Sequence, residues 1–452
     1  MTRVLIVTGD PIGERMAGPA IRVWNLGLQL QARGHEVRVV TTARAERDDA
    51  PFPVVRVAPG DDRGFGEHER WAELIVFQGH GMSQFPALRT TDRFVVADVY
   101  DPMHLEMLEQ GRELPRKTWD LRVAQARDAL NDQLRRADFF VCASERQRLF
   151  FLGHLAALGR ISPATYSGDD DLRGLIDLAP FGLDAEPPQA VSAELIAGIR
   201  SDDAQRILIW GGGIYSWFDP LTLIRAVAGV AARRPQTRLF FMGTRHPGVD
   251  EMGIVRQAHD LARELGVDGT AVVFNDTWVP YAERGGYLLA ADAGVSTHHV
   301  HVETEFAFRT RILDYLWAGL PMVVTEGDSF AELVRDEGLG IVVGAESVSE
   351  LEAAIETVLY DPDAAAGFAA NVARVRGDFT WDRALATVLD FADAPRHAAD
   401  YVPGRDRMGT GGGTTRRTSG PAHDLRMAWH HLRASGVRDV ARRVGRRLRG
   451  RS

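Results

Sequence analysis

The stretch His301-Val-Glu-Thr-Glu-Phe-Ala-Phe-Arg-Thr-Arg-Ile-Leu-Asp-Tyr-Leu-Trp-Ala-Gly-Leu-Pro-Met-Val-Val-Thr325 decides how the chain is read. It divides into a polar loop, a short helix and a buried strand. Leu313, Leu316 and Trp317 form an apolar stripe at helical spacing, Gly319 is placed to end the helix, and residues 322–325 resume as strand. Charge crowds the helix entrance: Glu303 and Glu305 in the loop, Arg309 and Arg311 at the first turn, Asp314 one turn in. A helix N-terminus bearing two guanidinium groups is suited to hold a diphosphate, and a carboxylate one turn further reaches a ribose or sugar hydroxyl. The same spacing also fits a solvated helix start with ordinary ion pairs.

On either side of this stretch strands and helices alternate. Upstream lie the strand 4–7, a Gly/Pro-rich loop 9–19, a helix to Arg33 closed by Gly34, and the strand 36–41. Apolar runs at 74–77, 94–97, 139–142 and 177–181 read as further buried strands of a parallel sheet covered on both faces. A second alternating unit opens with the strand 207–210, the turn Gly211-Gly-Gly213 and a helix capped by Asp219-Pro220, followed by strands at 239–242, 272–274, 293–296, 322–324 and 341–343. The expected fold is α/β: two doubly wound, Rossmann-like parallel-sheet domains facing a central cleft, where the strand carboxyl ends place ligands, plus a basic C-terminal tail. The expected divisions are 1–185 for the first domain, 186–203 for a linker, 204–378 for the second domain and 379–394 for a helix packing back across the cleft. A disordered linker at 395–422 and a basic amphipathic tail at 423–452 complete the chain.

Composition narrows the function. The chain has 452 residues, 45% hydrophobic and 25% charged, ordinary values for a soluble globular protein. The one cysteine, Cys142, rules out an internal disulfide and suits a reducing cytoplasm. Met1 leads directly into the first strand, too short and wrongly flanked for a signal peptide, and no apolar run approaches the roughly 20 residues of a membrane span. The net charge of −9 hides an asymmetry: residues 395–452 carry 14 Arg against 4 Asp, a balance of +10 that leaves −19 on the body. An acidic body argues against nucleic acid as the partner. The tail stripe Leu425, Trp429, Leu432, Val437, Val440, Val444, Leu448 with its arginines fits a peripheral contact of residues 425–449 with the inner membrane leaflet, or a protein-docking helix, or a disordered basic tail.

Several of these stretches together resemble one family. Arg33-Gly-His-Glu-Val37 before a strand, Trp210-Gly-Gly-Gly213 before the Asp-Pro-capped helix, Ala290-Ala-Asp-Ala-Gly-Val-Ser296 and the 303–321 stretch are similar to the nucleotide-sugar glycosyltransferases of family 4 (group 1), over roughly residues 1–390. The resemblance implies the GT-B fold, a nucleotide-diphosphate sugar as co-substrate, no cofactor or required metal, and transfer with retention at the anomeric carbon. The family carries Glu-x7-Glu before Ala-x-Gly-x-Pro; here Asp314 takes the second position and Phe306 stands eight residues before it. The family's Arg-x5-Lys pair after the glycine turn is absent, and Arg309, Arg311 and Arg245 are the residues placed to supply that charge.

Roles follow from the resemblance and from the chemistry of the leaving group. Arg309, Arg311 and the amides of Gly212 and Gly213 hold the diphosphate, Asp314 the ribose hydroxyls, and Glu305, or Glu303, the donor-sugar hydroxyls. Trp278 flanks the base and Gly18 borders the phosphates or the acceptor. His104 and His80, each just past a buried strand, are the histidines for steadying the donor sugar, and Asp98 and Asp101 orient acceptor hydroxyls. His298, His299 and His301 superficially resemble a metal site, but consecutive histidines on a strand point to opposite faces, so metal is not expected. The reading is a hexosyltransferase-type enzyme of polysaccharide biosynthesis acting on a glycan, a glycolipid or lipid-linked acceptor, or a small metabolite. A nucleotide-sugar epimerase and a non-catalytic scaffold at the membrane are the alternatives.

Overall fold

A computed structural model describes residues 1–47, 49–189, 198–244 and 252–402. Two parallel sheets dominate it. The first has the order β3-β2-β1-β4-β5-β6-β7 and is built from β1 (Arg3–Thr8), β2 (Glu36–Thr41), β3 (Val54–Arg56), β4 (Leu74–Gln78), β5 (Phe94–Asp98), β6 (Phe139–Cys142) and β7 (Ile176–Leu178). The second has the order β10-β9-β8-β11-β12-β13, from β8 (Arg206–Trp210), β9 (Thr237–Phe241), β10 (Val272–Phe274), β11 (Ala293–Ser296), β12 (Met322–Thr325) and β13 (Gly340–Val343). β1, β4, β8, β11 and β12 are wholly or almost wholly buried, as expected of strands covered by helices on both faces. The helices that bear on the site are α1 (Gly18–Ala32), α2 (Met103–Gln110), α3 (Glu145–Ala157), α4 (Pro220–Arg233), α5 (Val302–Phe306), α6 (Arg311–Ala318) and α7 (Ala386–Asp393).

Local chemistry explains the ends of these elements. Asp219 accepts a hydrogen bond from Thr222 N at 3.0 Å and Pro220 fills the first position of α4. Gly319 ends α6 in the left-handed region, φ 75°, which turns the chain into β12 without a Cβ penalty. Three sequence readings shift. The short edge strand β3 has no signal of its own, and it exists because it pairs with β2. The strand expected at 177–181 stops at Leu178, since the Ala179 and Pro180 carbonyls instead accept from Arg22 at 2.6 and 2.9 Å and Pro180 has no N–H to give. Finally, α6 begins at Arg311, which leaves Arg309 in the preceding loop.

The lobes meet at their strand carboxyl ends. Just before the linker, Leu183 makes an isolated β-bridge with Thr380, its N donating to Phe379 O at 2.8 Å and its O accepting from Trp381 N at 3.1 Å. α7 then packs on the first lobe: Phe391 stacks on Phe139 at 4.8 Å, and Arg33 pairs with Asp390 and Asp393. Gln147, buried in α3, donates to both Tyr100 O and Phe306 O at 2.7 Å, which joins the lobes on the far side of the cleft. No described helix is long and apolar enough to cross a membrane. The tail at 423–452 lies outside the described residues.

Candidate active site

Two adjoining chambers fill the cleft. The first lies between residues 16–21 of the first lobe and the glycine turn, Trp278, Tyr281 and the 308–314 segment of the second. Buried strand β8 delivers the turn: Gly211 N donates to the Tyr315 hydroxyl at 2.9 Å, and that hydroxyl donates to Val295 O at 2.7 Å. Gly212 has φ +88° and no atom within 4 Å of where a Cβ would stand, so glycine is needed there for its backbone. Arg311 lies against this turn. Its Nη2 donates to Gly213 O at 3.0 Å, its guanidinium rests over the rings of Phe218 at 4.0 Å and Trp210 at 4.4 Å, and its buried Nη1 has no hydrogen-bond partner among the described residues. Burial lowers its pKa to about 10, which leaves it charged at neutral pH. Asp314, also on α6, borders the same chamber and accepts from Arg284 Nε at 3.2 Å. Burial raises the Asp314 pKa and Arg284 opposes the rise.

The second chamber shares Gly18, Tyr215, Trp217 and residues 308–310 with the first. Its walls carry Asp10, Asp101, Glu106 and Glu303. Asp101 and Glu106 share a hydrogen bond between their carboxyl groups; burial raises both pKa values, and Glu106 and Glu303 lift Asp101 further, whereas the hydrogen bond with Asp101 opposes the rise at Glu106. Burial also raises Asp10, to about 6, against a lowering hydrogen bond from Thr8. Glu303 is held by Arg309 through Nη2 at 2.8 Å and Nη1 at 3.2 Å. The two arginines expected to share the diphosphate are therefore differently employed: Arg309 has both Nη atoms on a carboxylate and only its Nε without a partner among the described residues, whereas Arg311 faces no carboxylate and keeps Nη1 without one.

The structure brings Gly18, Gly212, Gly213, Trp278, Arg309, Arg311, Asp314, Asp101 and Glu303 into the two chambers. The other expected residues lie elsewhere. Asp98 is not turned to the cleft: both its oxygens are taken by the buried Arg22 at 2.6 and 2.9 Å. His104, on α2, is packed against Phe150 and His154 of α3, at ring separations of 5.7 and 6.2 Å, where burial lowers its pKa to about 4. His80 is exposed at the start of a short helix, Gly81–Gln84, and borders neither chamber. Glu305 is exposed, in a separate depression with Arg146, Leu149 and Phe150. Arg245 lies outside the described residues. The three histidines have separate engagements: His298 with Glu326 O, His299 with Glu346, and His301 capping α5.

Sequence reasoning missed Asp10, Glu106, Tyr215, Trp217 and Arg284. Asp10 was within reach, since it follows β1 just past a strand carboxyl end, as Asp98 stands at the carboxyl end of β5. Glu106 and Arg284 carry no comparable signal, because helix and loop packing alone brings them to the cleft.

Residues 205–361 match the family model for glycosyl transferases group 1. A curated relative, the D-inositol 3-phosphate glycosyltransferase of Gordonia bronchialis, is 25% identical over 91% of this chain and 94% of its own. Among solved structures, sucrose-phosphate synthase from Thermosynechococcus elongatus superposes with a TM-score of 0.64 at 19% identity, over 87% of this chain and 99% of that one. Anabaena Alr3699/HepE in complex with UDP-glucose does so with a TM-score of 0.62 at 16% identity, over 87% and 100%. Two parallel Rossmann-like sheets around a cleft, with a glycine turn at its wall, give the chain the GT-B fold, and its second lobe carries the match to the group 1 glycosyl transferases.

Proposed function

We propose that the chain transfers a sugar from a nucleoside-diphosphate sugar in the first chamber to a hydroxyl of an acceptor in the second, with retention of anomeric configuration. The observation that carries this reading is Arg311: a buried guanidinium with an unused N–H, fixed on a glycine turn, at the wall of a chamber that opens into a second one. Breaking a sugar–phosphate bond leaves charge on the departing diphosphate, and a preorganised cation with backbone amides of residues 212–213 stabilises that charge where water is excluded. Asp314 takes the ribose hydroxyls. Glu303, oriented by Arg309, takes the donor-sugar hydroxyls, and the sugar lies past Gly18. Asp10 and Asp101 face the acceptor hydroxyl. Trp278 borders the base.

Leaving-group stabilisation is assigned to Arg311 and not to a metal ion, so chelation with EDTA leaves the rate unchanged on this account. The acceptor is a glycan, a lipid-linked sugar or a hydroxylated metabolite, and residues 425–449 bring the enzyme to an anionic inner leaflet. Flotation with anionic vesicles, with and without residues 403–452, tests that contact. The family match does not favour the epimerase or the scaffold.

The direct test is incubation with UDP-, GDP- and ADP-sugars and a set of hydroxylated acceptors, with the product read by proton NMR. Release of one nucleotide with a glycoside of the donor's own configuration is expected. An inverted product, or an epimerised donor with no acceptor consumed, contradicts the reading.

A further inference from the structure

One side chain ties the nucleotide chamber to the end of the first lobe. Arg284 Nε donates to Asp314 Oδ1 at 3.2 Å, Nη1 to Tyr281 O at 3.0 Å and Nη2 to Asp184 Oδ2 at 3.2 Å. Its guanidinium lies over the rings of Tyr281, at 3.8 Å, and Trp317, at 4.4 Å. All three nitrogens of the fork donate and two rings lie against it, and only 12% of the side chain is exposed. Asp184 lies at the end of the first lobe, two residues before the linker, and Trp317 holds the start of that linker by donating from Nε1 to Glu186 O at 2.6 Å.

The arrangement has a chemical consequence at Asp314. Burial alone works against its ionised form, and a protonated carboxyl is a poorer acceptor for a hydroxyl pair. Arg284 opposes that and takes Oδ1, while 29% of the Asp314 side chain stays exposed, at the wall of the chamber. A guanidinium is suited to this because its planar fork fixes the direction of the carboxylate as well as its charge.

We propose that Arg284 is a positioning residue that fixes the direction of the Asp314 carboxyl, and through it makes the enzyme selective for ribonucleoside over deoxyribonucleoside donors. This rests on the nucleotide-donor reading above. If Arg284 were merely a packing cross-tie, its loss would weaken every nucleotide alike. If it acts through Asp314, its loss matters only when a hydroxyl is there to be bound.

The test uses the full chain, the nucleoside diphosphate that raises its melting temperature, and the 2′-deoxy form of that nucleotide. Calorimetry gives both affinities for the wild type, R284K, R284Q, D314N and R284Q/D314N. The wild type should prefer the ribonucleotide by about tenfold, one charge-assisted hydrogen bond's worth. R284Q should lose most of that preference by weakening only the ribonucleotide, R284K should fall between, and the double variant should bind no more weakly than D314N. Equal weakening of both nucleotides, or additive losses in the double variant, would overturn the proposal. Should R284Q fail to fold by circular dichroism, R284K decides, and unchanged selectivity in it counts against Arg284. A wild type that binds both forms equally also sinks the Arg284 role but leaves the donor reading standing. A wild type that binds no nucleoside diphosphate removes both.

Discussion

Arg309 and Glu303 face each other in a two-armed ion pair, 2.8 and 3.2 Å long, with 6% and 7% of their side chains exposed. The pair stands where the two chambers meet, since Arg309 borders both. It separates two arginines that are only two residues apart. Arg309 orients a carboxylate, and Arg311 is left as the cation for a diphosphate.

Removing one partner of a buried pair strands the other, at a cost of about 3–5 kcal/mol. Arg309→Met should therefore lower stability by that order in urea denaturation, and the double variant R309M/E303Q should recover much of the loss. If R309M keeps wild-type stability but loses nucleotide binding, Arg309 serves the nucleotide and the pairing argument is wrong.

Asp10 gives a pH signature. Burial lifts its folded pKa from 3.8 to about 6, so the folded state holds this proton more tightly than the unfolded chain does. Its contribution to stability is then fully present below the unfolded value and is lost as pH rises towards about 6, staying lost above that. Asp10→Asn, which cannot ionise, should raise the melting temperature above neutral pH by a few degrees and change it little in acid. A melting difference independent of pH would show that Asp10 is not buried in this way. The same variant should slow transfer, because Asp10 faces the acceptor hydroxyl.

At Gly212 the φ of +88° and the empty space around it predict a backbone effect without a clash. Gly212→Ala should fold, lose about 1–2 kcal/mol in denaturant titration, and bind nucleotide more weakly as its amide turns. Unchanged affinity at the reduced stability would remove the residue 212 amide from the phosphate site.

How much of this was legible in the sequence follows from which features are local. The buried strands around residues 4–7 and 322–325, the Asp219-Pro220 cap and the Gly319 helix end depend on neighbours in the chain, and they stand where their patterns put them. The glycine turn and the 303–314 charges could be read as a site for the same reason. Residues whose role depends on a distant partner could not. Asp98 looked like a cleft residue until Arg22, 76 positions away, claimed both its oxygens. His104 sits on α2, but the opposing face of α3 decides that it meets rings and not a sugar. Choosing Glu303 over Glu305 needed α5, which buries one and exposes the other. Arg284 became visible only once Asp184 and Asp314, 100 residues back and 30 ahead, were found on the same guanidinium.

The central claim is that the first chamber binds a nucleoside diphosphate on Arg311. A thermal-shift panel of UDP, GDP, ADP and dTDP on the wild type and Arg311→Met tests it most directly. Ligand at 100 times its dissociation constant stabilises by about 2.7 kcal/mol, enough to read as a shifted midpoint. The account predicts that one ribonucleoside diphosphate raises the wild-type midpoint and that R311M, folded by circular dichroism, loses the shift. No response to any of the four, or a response that R311M keeps in full, would contradict it.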